Sequence, residues 1–335
     1  MRLAAFIVAL GLLLVACTGD LPYNSLDPAG PVAQKQADLY WLVFWIAAGV
    51  FVLVEGLLVY AMIRFRRRSA DDTPRQIHGN TRLEILWTIL PALLLAGVAV
   101  PTVGTIFDLA SRPEGEVLEV NVTGNQWWWE VEYPDLGVLT ANEVHIPAGR
   151  PVAINLTSRD VIHSFSVPRL AGKQDVFPGR TNTLYLEATQ PGTYLGLCKE
   201  YCGLSHANMR FRVVAQPPDE FDAWVSAQRE DAAVPPSGTQ EAEGLEYFST
   251  GQCIGCHTVR GVEAAVGQVG PDLTHLASRG TFAGAIFDLN EDNLTRWLED
   301  APALKPGSKM PSGLRDMGLT EDQIEAMVAY LLTLE

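Results

Sequence analysis

Two long apolar stretches dominate the first third of the chain. Residues 39–63 are interrupted by a single charge, Glu55, and residues 85–107 carry none. Each stretch reaches the ~20 residues that a helix needs to cross the hydrocarbon core of a bilayer. The pattern therefore predicts two transmembrane helices, over 39–63 and 85–107.

A shorter apolar run lies at the N-terminus, between Arg2 and Cys17. A charged start, a short apolar core and small residues before a cleavage point are typical of a secretory signal peptide. The letters LVAC, which end at Cys17, also resemble the lipoprotein box of bacteria. We expect a signal peptide over residues 1–16, a lipidated Cys17 and an extracytoplasmic segment over 17–38. The alternative is an ordinary signal peptide beside a stray cysteine.

The loop between the two predicted helices, residues 64–84, is strongly basic. Its six arginines are Arg64, Arg66, Arg67, Arg68, Arg75 and Arg82. The positive-inside rule places this loop in the cytoplasm, so the chain after residue 107 lies outside. A signal peptide requires the same orientation. Together they predict a protein of the bacterial inner membrane whose remaining domains face the periplasm.

Polar and apolar residues alternate with a period of two after residue 114. Runs such as EVLEVNVTG, PVAINLTS and MRFRVVA are separated by Gly, Pro and Asn at intervals of ~8–12 residues. This pattern predicts an all-β sandwich or barrel over residues 114–216. Residues 217–239 are rich in Pro, Ala and acidic side chains, and are predicted to be a linker with a short helix near 221–228.

The last segment, residues 240–335, has mainly the 3.6-residue period of helices. Asn290 is a predicted N-cap, and Thr320 forms a predicted capping box with Gln323. The final helix then has one apolar face, made of Ile324, Met327, Val328 and Leu331. The predicted fold is a multi-domain membrane protein with a two-helix transmembrane hairpin, an all-β sandwich and an all-α domain.

Composition adds two constraints. The chain of 335 residues is 48% hydrophobic and yet has a net charge of −15, so apolar and acidic residues are concentrated in different regions. Such an acidic balance argues against a nucleic-acid partner, which would call for a basic surface. The five cysteines lie in local motifs rather than in a dispersed disulfide framework.

The pentapeptide CIGCH, residues 253–257, is the C-x-x-C-H motif of c-type heme attachment. Cys253 and Cys256 would each bond one vinyl group, and His257 would be the proximal iron ligand. The same letters occur in redox and zinc sites, but an exported helical segment favours heme. For the second axial ligand the sequence offers Met310, in the flexible loop GSKMPSG, and three rivals, Met317, Met327 and His275.

This segment resembles a class I cytochrome c. That family follows C-x-x-C-H with G-P-x-L and a late K-M-P. The matching residues here are Gly270, Pro271, Leu273, Lys309, Met310 and Pro311. Residues 240–335 carry 15 acidic and 6 basic side chains, a net charge of −9. An electron donor that docks here would therefore present a basic or apolar face, although acidic residues equally serve solubility.

A second group of soft ligands lies in CKEYCGLSHANM, residues 198–209. With one histidine from further upstream, the candidate ligands are Cys198, Cys202, His206, Met209 and His163. Two Cys and two His would satisfy zinc, whereas the added methionine favours copper. A mononuclear blue-copper centre uses a single Cys with two His and a Met. The second thiolate therefore suggests two coppers bridged by both sulfurs.

The order of these elements resembles subunit II of heme–copper cytochrome c oxidases. Two membrane helices precede the tryptophan-rich GNQWWWEVEYP, a lone histidine and then C-x-E-x-C-x-x-x-H-x-x-M. The resemblance spans residues 39–214, and the last segment extends it to the variant with a fused C-terminal cytochrome c. It implies a cupredoxin domain with a binuclear CuA centre. The implied ligands are Cys198, Cys202, His163, His206, Met209 and the backbone carbonyl of Glu200.

The resemblance implies roles for three further side chains. The carboxylate of Glu200 would help to hold a magnesium ion at the contact with subunit I. Trp127 would receive electrons from cytochrome c, and Glu84 would stand at the entrance of a proton channel in subunit I. Two of these have plainer explanations, because at least one of three consecutive tryptophans must be a core residue, and an acidic residue at a helix end is often simply solvated.

Glu55 has no counterpart that the resemblance explains. Glu55 lies within a predicted transmembrane helix, where a carboxylate is functional by default. His78 and His145 are predicted to be surface residues of a loop and a strand.

The implied function is that of the subunit through which electrons enter a terminal oxidase. Electrons would pass from an upstream donor, such as a cytochrome bc complex or a small redox protein, to heme c, to CuA and to the hemes of subunit I. There oxygen would be reduced to water and protons translocated.

Subunit I and subunit III are the implied partners. The alternatives are a CuA and heme c relay subunit of a nitric oxide reductase, and a free-standing membrane-tethered carrier. A quinol oxidase is disfavoured because its subunit II normally lacks these copper ligands.

Overall fold

The computed structural model describes residues 21–69, 73 and 76–335. The predicted signal peptide, the lipidation of Cys17 and Arg75 of the basic loop lie outside the described residues. Two long helices come first, α1 at Pro31–Arg64 and α2 at Thr81–Ala110. They contain the two apolar stretches, and each is long and apolar enough to cross a membrane.

Both helices are longer than the apolar stretches, because polar turns extend them. Helix α1 begins with Pro31, at a position where the missing N–H needs no partner. Helix α2 begins after Asn80, whose side chain accepts hydrogen bonds from two backbone N–H groups of the first turn. Lys35 and Asp108 form an ion pair that joins the start of α1 to the end of α2. The two helices form the predicted hairpin.

Residues 118–216 form ten strands. They are β1 Leu118–Asn125, β2 Trp128–Tyr133, β3 Val138–Ala141, β4 Glu143–Pro147, β5 Val152–Ser158, β6 His163–Ser166, β7 Lys173–Val176, β8 Asn182–Leu186, β9 Gly192–Cys198 and β10 Arg210–Gln216. One sheet has the order β3-β2-β1-β5-β8 and the other β4-β10-β9-β6-β7. One neighbouring pair in each sheet is parallel, β1 with β5 and β10 with β4. The predicted all-β sandwich is confirmed.

Aromatic side chains fill the core between the two sheets. In β2, Trp129 and Tyr133 are fully buried while the residues between them alternate in exposure. The ring of Trp129 meets Phe165 and Phe211 edge-on, and those two rings stack at 4.1 Å between centroids. Such rings bury the largest apolar areas of any side chain, so they dominate the stability of a core. Of the three consecutive tryptophans, Trp129 is the one that is completely buried in this core.

A helix that follows the sandwich, α3 at Pro218–Gln228, packs against it. Phe221 and Val225 join the core of the sandwich, and Trp224 stacks on the ring of His145 at 4.2 Å between centroids. The prediction of His145 as a surface residue is wrong. Its side chain lies under α3 and is 8% exposed, because the helix that covers it comes from a segment far along the chain.

The predicted linker is therefore partly a packed helix. Beyond α3 it is reduced to residues 229–239, which lead to the first helix of the next domain. His78, in the basic loop, is exposed as predicted.

The C-terminal domain is mainly helical, as predicted. Its elements are α4 Gln240–Thr250, the short strands β11 Thr281–Phe282 and β12 Phe287–Asp288, α5 Glu291–Leu304 and α6 Glu321–Leu331. Asn290 caps α5, and Thr320 with Gln323 forms a complete capping box before α6. The predicted apolar face of α6 is buried at all four positions, which confirms both the helix and its orientation.

Candidate metal and cofactor sites

Strand pairing brings the predicted copper ligands together. Strand β6 begins with His163, β9 ends with Cys198, and the two strands pair with Phe165 opposite Cys198. The chain then returns through a short 3₁₀ turn, His206–Asn208, into β10. A histidine remote in sequence and a compact loop thus meet at one end of the second sheet.

The distances describe one cluster of donor atoms. The sulfur atoms of Cys198 and Cys202 lie 3.9 Å apart, and Cys202 Sγ lies 3.5 Å from His206 Nδ1 and 3.8 Å from Met209 Sδ. One nitrogen of His163 lies within 4.8 Å of both cysteine sulfurs. The six predicted ligands are completed by the Glu200 carbonyl oxygen, 3.3 Å from Cys198 Sγ.

The chemistry of the cluster fits a soft metal ion. His163 is fully buried, and its Nδ1 has no hydrogen-bond partner among the described residues, although a buried polar atom normally has one. Its other nitrogen, Nε2, lies 2.8 Å from Asp160 Oδ1. A free ring nitrogen beside two thiols and a thioether is a donor set that copper accepts.

The two thiols compete for a proton. A hydrogen bond from Cys202, assisted by His163, outweighs burial and lowers the pKa of Cys198, while the same contact and burial raise the pKa of Cys202. Two buried sulfurs at 3.9 Å cannot both be thiolates unless a cation lies between them. Bound metal would meet that requirement, since metal binding releases the thiol proton.

Asp160 contacts a predicted copper ligand, and the sequence analysis did not single it out. It anchors the imidazole of His163 and also accepts hydrogen bonds from the backbone N–H groups of Gln126 and Val161. No local motif marks it, because its role depends on a strand and a loop meeting in space. A carboxylate on the outer nitrogen of a ligating histidine fixes the tautomer that leaves the inner nitrogen free.

Substituting Asp160→Asn should weaken copper binding by roughly 10- to 100-fold, the usual cost of losing such a partner. The measurement is a competition between the detergent-solubilised chain and a copper chelator. Asp175→Asn is the matched control, because Asp175 lies on the neighbouring β7 and pairs with the half-exposed Lys173. Equal copper affinity in both variants would contradict the role of Asp160.

A single apolar cavity gathers the predicted heme residues. Cys253, Cys256, His257 and Met310 all line it. His257 Nδ1 lies 2.8 Å from the carbonyl oxygen of Pro271, which leaves Nε2 as the nitrogen free to bind iron. Burial lowers the pKa of His257, so its ring is neutral and able to act as a ligand. The site therefore fits a c-type heme.

Gly270, in the G-P-x-L motif, lets the backbone approach the proximal histidine. A Cβ atom at this position would lie 2.5 Å from Cε1 of His257, closer than real contacts allow. The glycine of the motif is therefore needed to seat the ring.

The structure narrows the four candidates for the second iron ligand to the three methionines. His275 is buried, its Nδ1 lies 2.6 Å from the carbonyl oxygen of Glu335, and it does not line the cavity. Met317 and Met327 do line it together with Met310. Met310 differs from them in one contact, since its sulfur accepts a hydrogen bond from Trp297 Nε1 at 3.0 Å. Trp297 was not singled out in the sequence.

Trp127 lies between the two sites. Its indole lines the heme cavity, and its Nε1 donates a hydrogen bond to the carbonyl oxygen of Cys202 at 3.0 Å. The side chain is only 8% exposed, because the C-terminal domain covers it. An electron donor from outside the chain would not meet this ring.

The three acidic residues of interest occupy separate places. Glu200 is exposed beside the copper loop. Glu84, in the first turn of α2, accepts a hydrogen bond from the backbone N–H of Asn80 at 3.2 Å, which also suits a capping role. Glu55 is exposed on α1, within the stretch that is apolar enough to cross the membrane.

The fold and these two sites define a membrane-anchored redox protein with a cupredoxin domain and a cytochrome c domain. Comparison with known families agrees along most of the chain. Residues 23–104 match the transmembrane domain of cytochrome c oxidase subunit II, residues 136–216 match its periplasmic domain, and residues 241–335 match cytochrome c. The chain belongs to the family of cytochrome c oxidase subunit II and is the oxidoreductase subunit through which electrons enter. These domain families imply copper in the sandwich and heme in the helical domain.

Individual relatives show how far the similarity extends. Cytochrome c oxidase subunit 2 of Alkalihalophilus pseudofirmus is 40% identical, over 97% of this chain and 95% of its own length. Quinol oxidase subunit 2 of Bacillus cereus is 34% identical, over 68% of this chain and 80% of its own. The periplasmic domain of subunit II of cytochrome oxidase from Bradyrhizobium japonicum is 29% identical, over 36% of this chain and 96% of its own, with a TM-score of 0.34. The full-length relative confirms the predicted family, and the matched domain families confirm the predicted fold class.

Proposed function

We propose that electrons reach this chain at its cytochrome c domain, cross to the copper loop beside Trp127, and leave toward subunit I of a terminal oxidase. The observation that carries the proposal is the position of Trp127, whose ring lines the heme cavity and is hydrogen-bonded to Cys202. One side chain thus touches both sites. Electron tunnelling falls steeply with distance, so a shared contact of this kind favours transfer.

The residues that would hold the two groups are those described above. Cys253 and Cys256 would attach the heme covalently, and His257 and Met310 would bind its iron. Two copper ions would be held by His163, Cys198, Cys202, His206, Met209 and the carbonyl of Glu200. When bound, the heme and the copper pair supply reversible one-electron chemistry. The protein buries the side chains of both cysteines and of Met209. Burial keeps water away from the site and so limits the reorganisation energy of electron transfer.

The remaining assignments follow from topology and family. The arginines of loop 64–84 support a topology in the bacterial inner membrane in which this loop is cytoplasmic and the two folded domains are periplasmic. On that side Cys17 would carry a lipid and Glu200 would contribute to a magnesium site shared with subunit I. Glu84, at the cytoplasmic start of α2, would stand at the entrance of a proton channel as oxygen reduction drives proton translocation. Subunit III and an upstream donor would complete the assembly.

Metal analysis with EPR of the purified chain, separated from subunit I, tests this function. We expect two coppers for each covalently bound heme c, and a mixed-valence copper signal. Zinc in place of copper, or a single blue copper, would overturn the copper assignment. Co-purification with a large multi-heme membrane subunit is expected as well, and its failure would favour a free-standing carrier.

A further inference from the structure

The C-terminal domain is seated on the copper loop itself. Ser205, the residue before the ligand His206, donates a hydrogen bond to the carbonyl oxygen of Pro306 at 2.6 Å. The backbone N–H of Arg210, directly after Met209, donates to the carbonyl oxygen of Gly284 at 3.0 Å. Two turns of the cytochrome domain therefore rest on the loop that carries the copper ligands.

A buried lysine lies at the centre of this contact. Lys305 belongs to the cytochrome domain and is 4% exposed. Its Nζ donates to the carbonyl oxygen of Trp127 in the sandwich and to that of Ala283 in its own domain, each at 2.6 Å. Burial lowers the pKa of Lys305 to about 7. A lysine head group is rarely buried unless paired, so this one needs both carbonyl groups.

A buried glutamate makes the reciprocal contact. Glu143 begins β4 of the sandwich and is 3% exposed. Its carboxylate accepts hydrogen bonds from the hydroxyl group of Thr281 at 2.8 Å and from the backbone N–H groups of Thr281 and Gly280 at 3.0 and 3.3 Å. Each domain thus buries one ionisable side chain that hydrogen-bonds to the other domain. If the domains separated, both contacts would be lost together.

The loop that carries Lys305 also shapes the contact with Trp127. Gly307 has a φ of +81°, and a Cβ atom there would lie 2.6 Å from Cη2 of the Trp127 ring. The backbone of this loop therefore lies directly on the indole. Three residues later the same loop supplies Met310, so the position of an axial ligand is tied to the domain contact.

We propose that Lys305 is a positioning residue that, together with Glu143, holds the cytochrome domain permanently on the Trp127 face of the cupredoxin domain. Transfer between the domains then takes place within a closed interface rather than by repeated collision. Trp127 is reserved for the chain's own cytochrome domain, and an external donor exchanges electrons only with the heme side. This inference rests on the proposed function, but the docking it describes can be observed without any redox measurement.

The test uses the complete oxidase complex in detergent. The two interface variants, Lys305→Met and Glu143→Gln, are prepared separately. Hydrogen exchange at the Arg210 amide reports docking, because its acceptor lies in the other domain. Flash reduction of the heme, followed at the copper absorption, reports transfer. Lys173→Met and Glu132→Gln are the matched controls, since both side chains are exposed on the sandwich.

In the wild-type complex and the controls we expect a protected Arg210 amide and a transfer rate that is independent of ionic strength and viscosity. In each interface variant the Arg210 amide should exchange its hydrogen at least about tenfold faster than in the wild type, as expected from the loss of a hydrogen bond to a charged group. The transfer rate of the variant should fall and become dependent on viscosity, and Lys305→Arg should restore part of both.

Protection and a transfer rate equal to wild type in both variants would overturn the proposal. So would a wild-type rate that varies with viscosity, because that is the behaviour of a domain that docks by collision. Loss of the heme or copper spectrum in the wild type would instead contradict the proposed function, while Arg210 exchange would still report docking. Retained protection of the amides that pair β1 with β5 would show that the variants are folded.

Discussion

Replacing Cys202 by serine is expected to abolish the copper centre while leaving the covalent heme in place. Cys202 Sγ is the atom around which the cluster is arranged, with a thiol, an imidazole and a thioether all within 3.9 Å. A hydroxyl is a poor ligand for copper compared with a thiolate. Copper affinity should fall by more than the ~100-fold that the loss of an outer partner can cost. Electrons should then accumulate on the heme, because their acceptor is missing.

Copper analysis, EPR and flash reduction of the same preparation would measure this result. Lys199→Gln is a suitable control, because Lys199 lies in the same loop and its side chain is exposed. A Cys202→Ser chain that keeps two coppers and wild-type transfer would show that the sulfur is not a ligand.

The double substitution Cys253→Ser with Cys256→Ser is expected to abolish the covalent heme while leaving the copper centre in place. No thiol remains to bond the heme vinyl groups, so denatured protein should show no bound heme. Electron uptake from a donor should fall to background, because Trp127 is covered and offers no alternative contact. The copper EPR signal should persist, since none of its ligands lies in the helical domain.

Heme staining after denaturation, together with EPR, would distinguish the two halves of this expectation. Met317→Leu is the control, as it alters another sulfur of the same cavity without removing an attachment point. Heme that stays attached in the double variant would contradict the assignment of CIGCH.

The sequence predicted the parts of the fold that depend on local pattern. The membrane helices, the alternating strands and the caps at Asn290 and Thr320 follow from spacing that neighbouring residues determine. The donors between Cys198 and Met209 were equally visible, because a single loop holds them. His163 was reached through the resemblance as much as through its chemistry, since only strand pairing brings it to the loop.

What the sequence did not predict is contact between distant segments. His145 was placed at the surface because α3, which covers it, comes from the predicted linker. Asp160, Glu143 and Lys305 are ordinary charged residues in their local context. Their importance appears only when Lys305 meets Trp127 and Glu143 meets Thr281 across the domain boundary. Periodicity carries no information on such pairs.

The short connection between α3 and α4 has a consequence for competition. Residues 229–239 tether the cytochrome domain beside its docking face, so association is intramolecular. A short tether of this kind gives an effective concentration on the order of millimolar. A soluble cytochrome that sought the same face would need a comparable concentration to displace it. The tethered cytochrome domain therefore occupies the docking face in preference to a soluble cytochrome, even where the two have the same intrinsic affinity for that face.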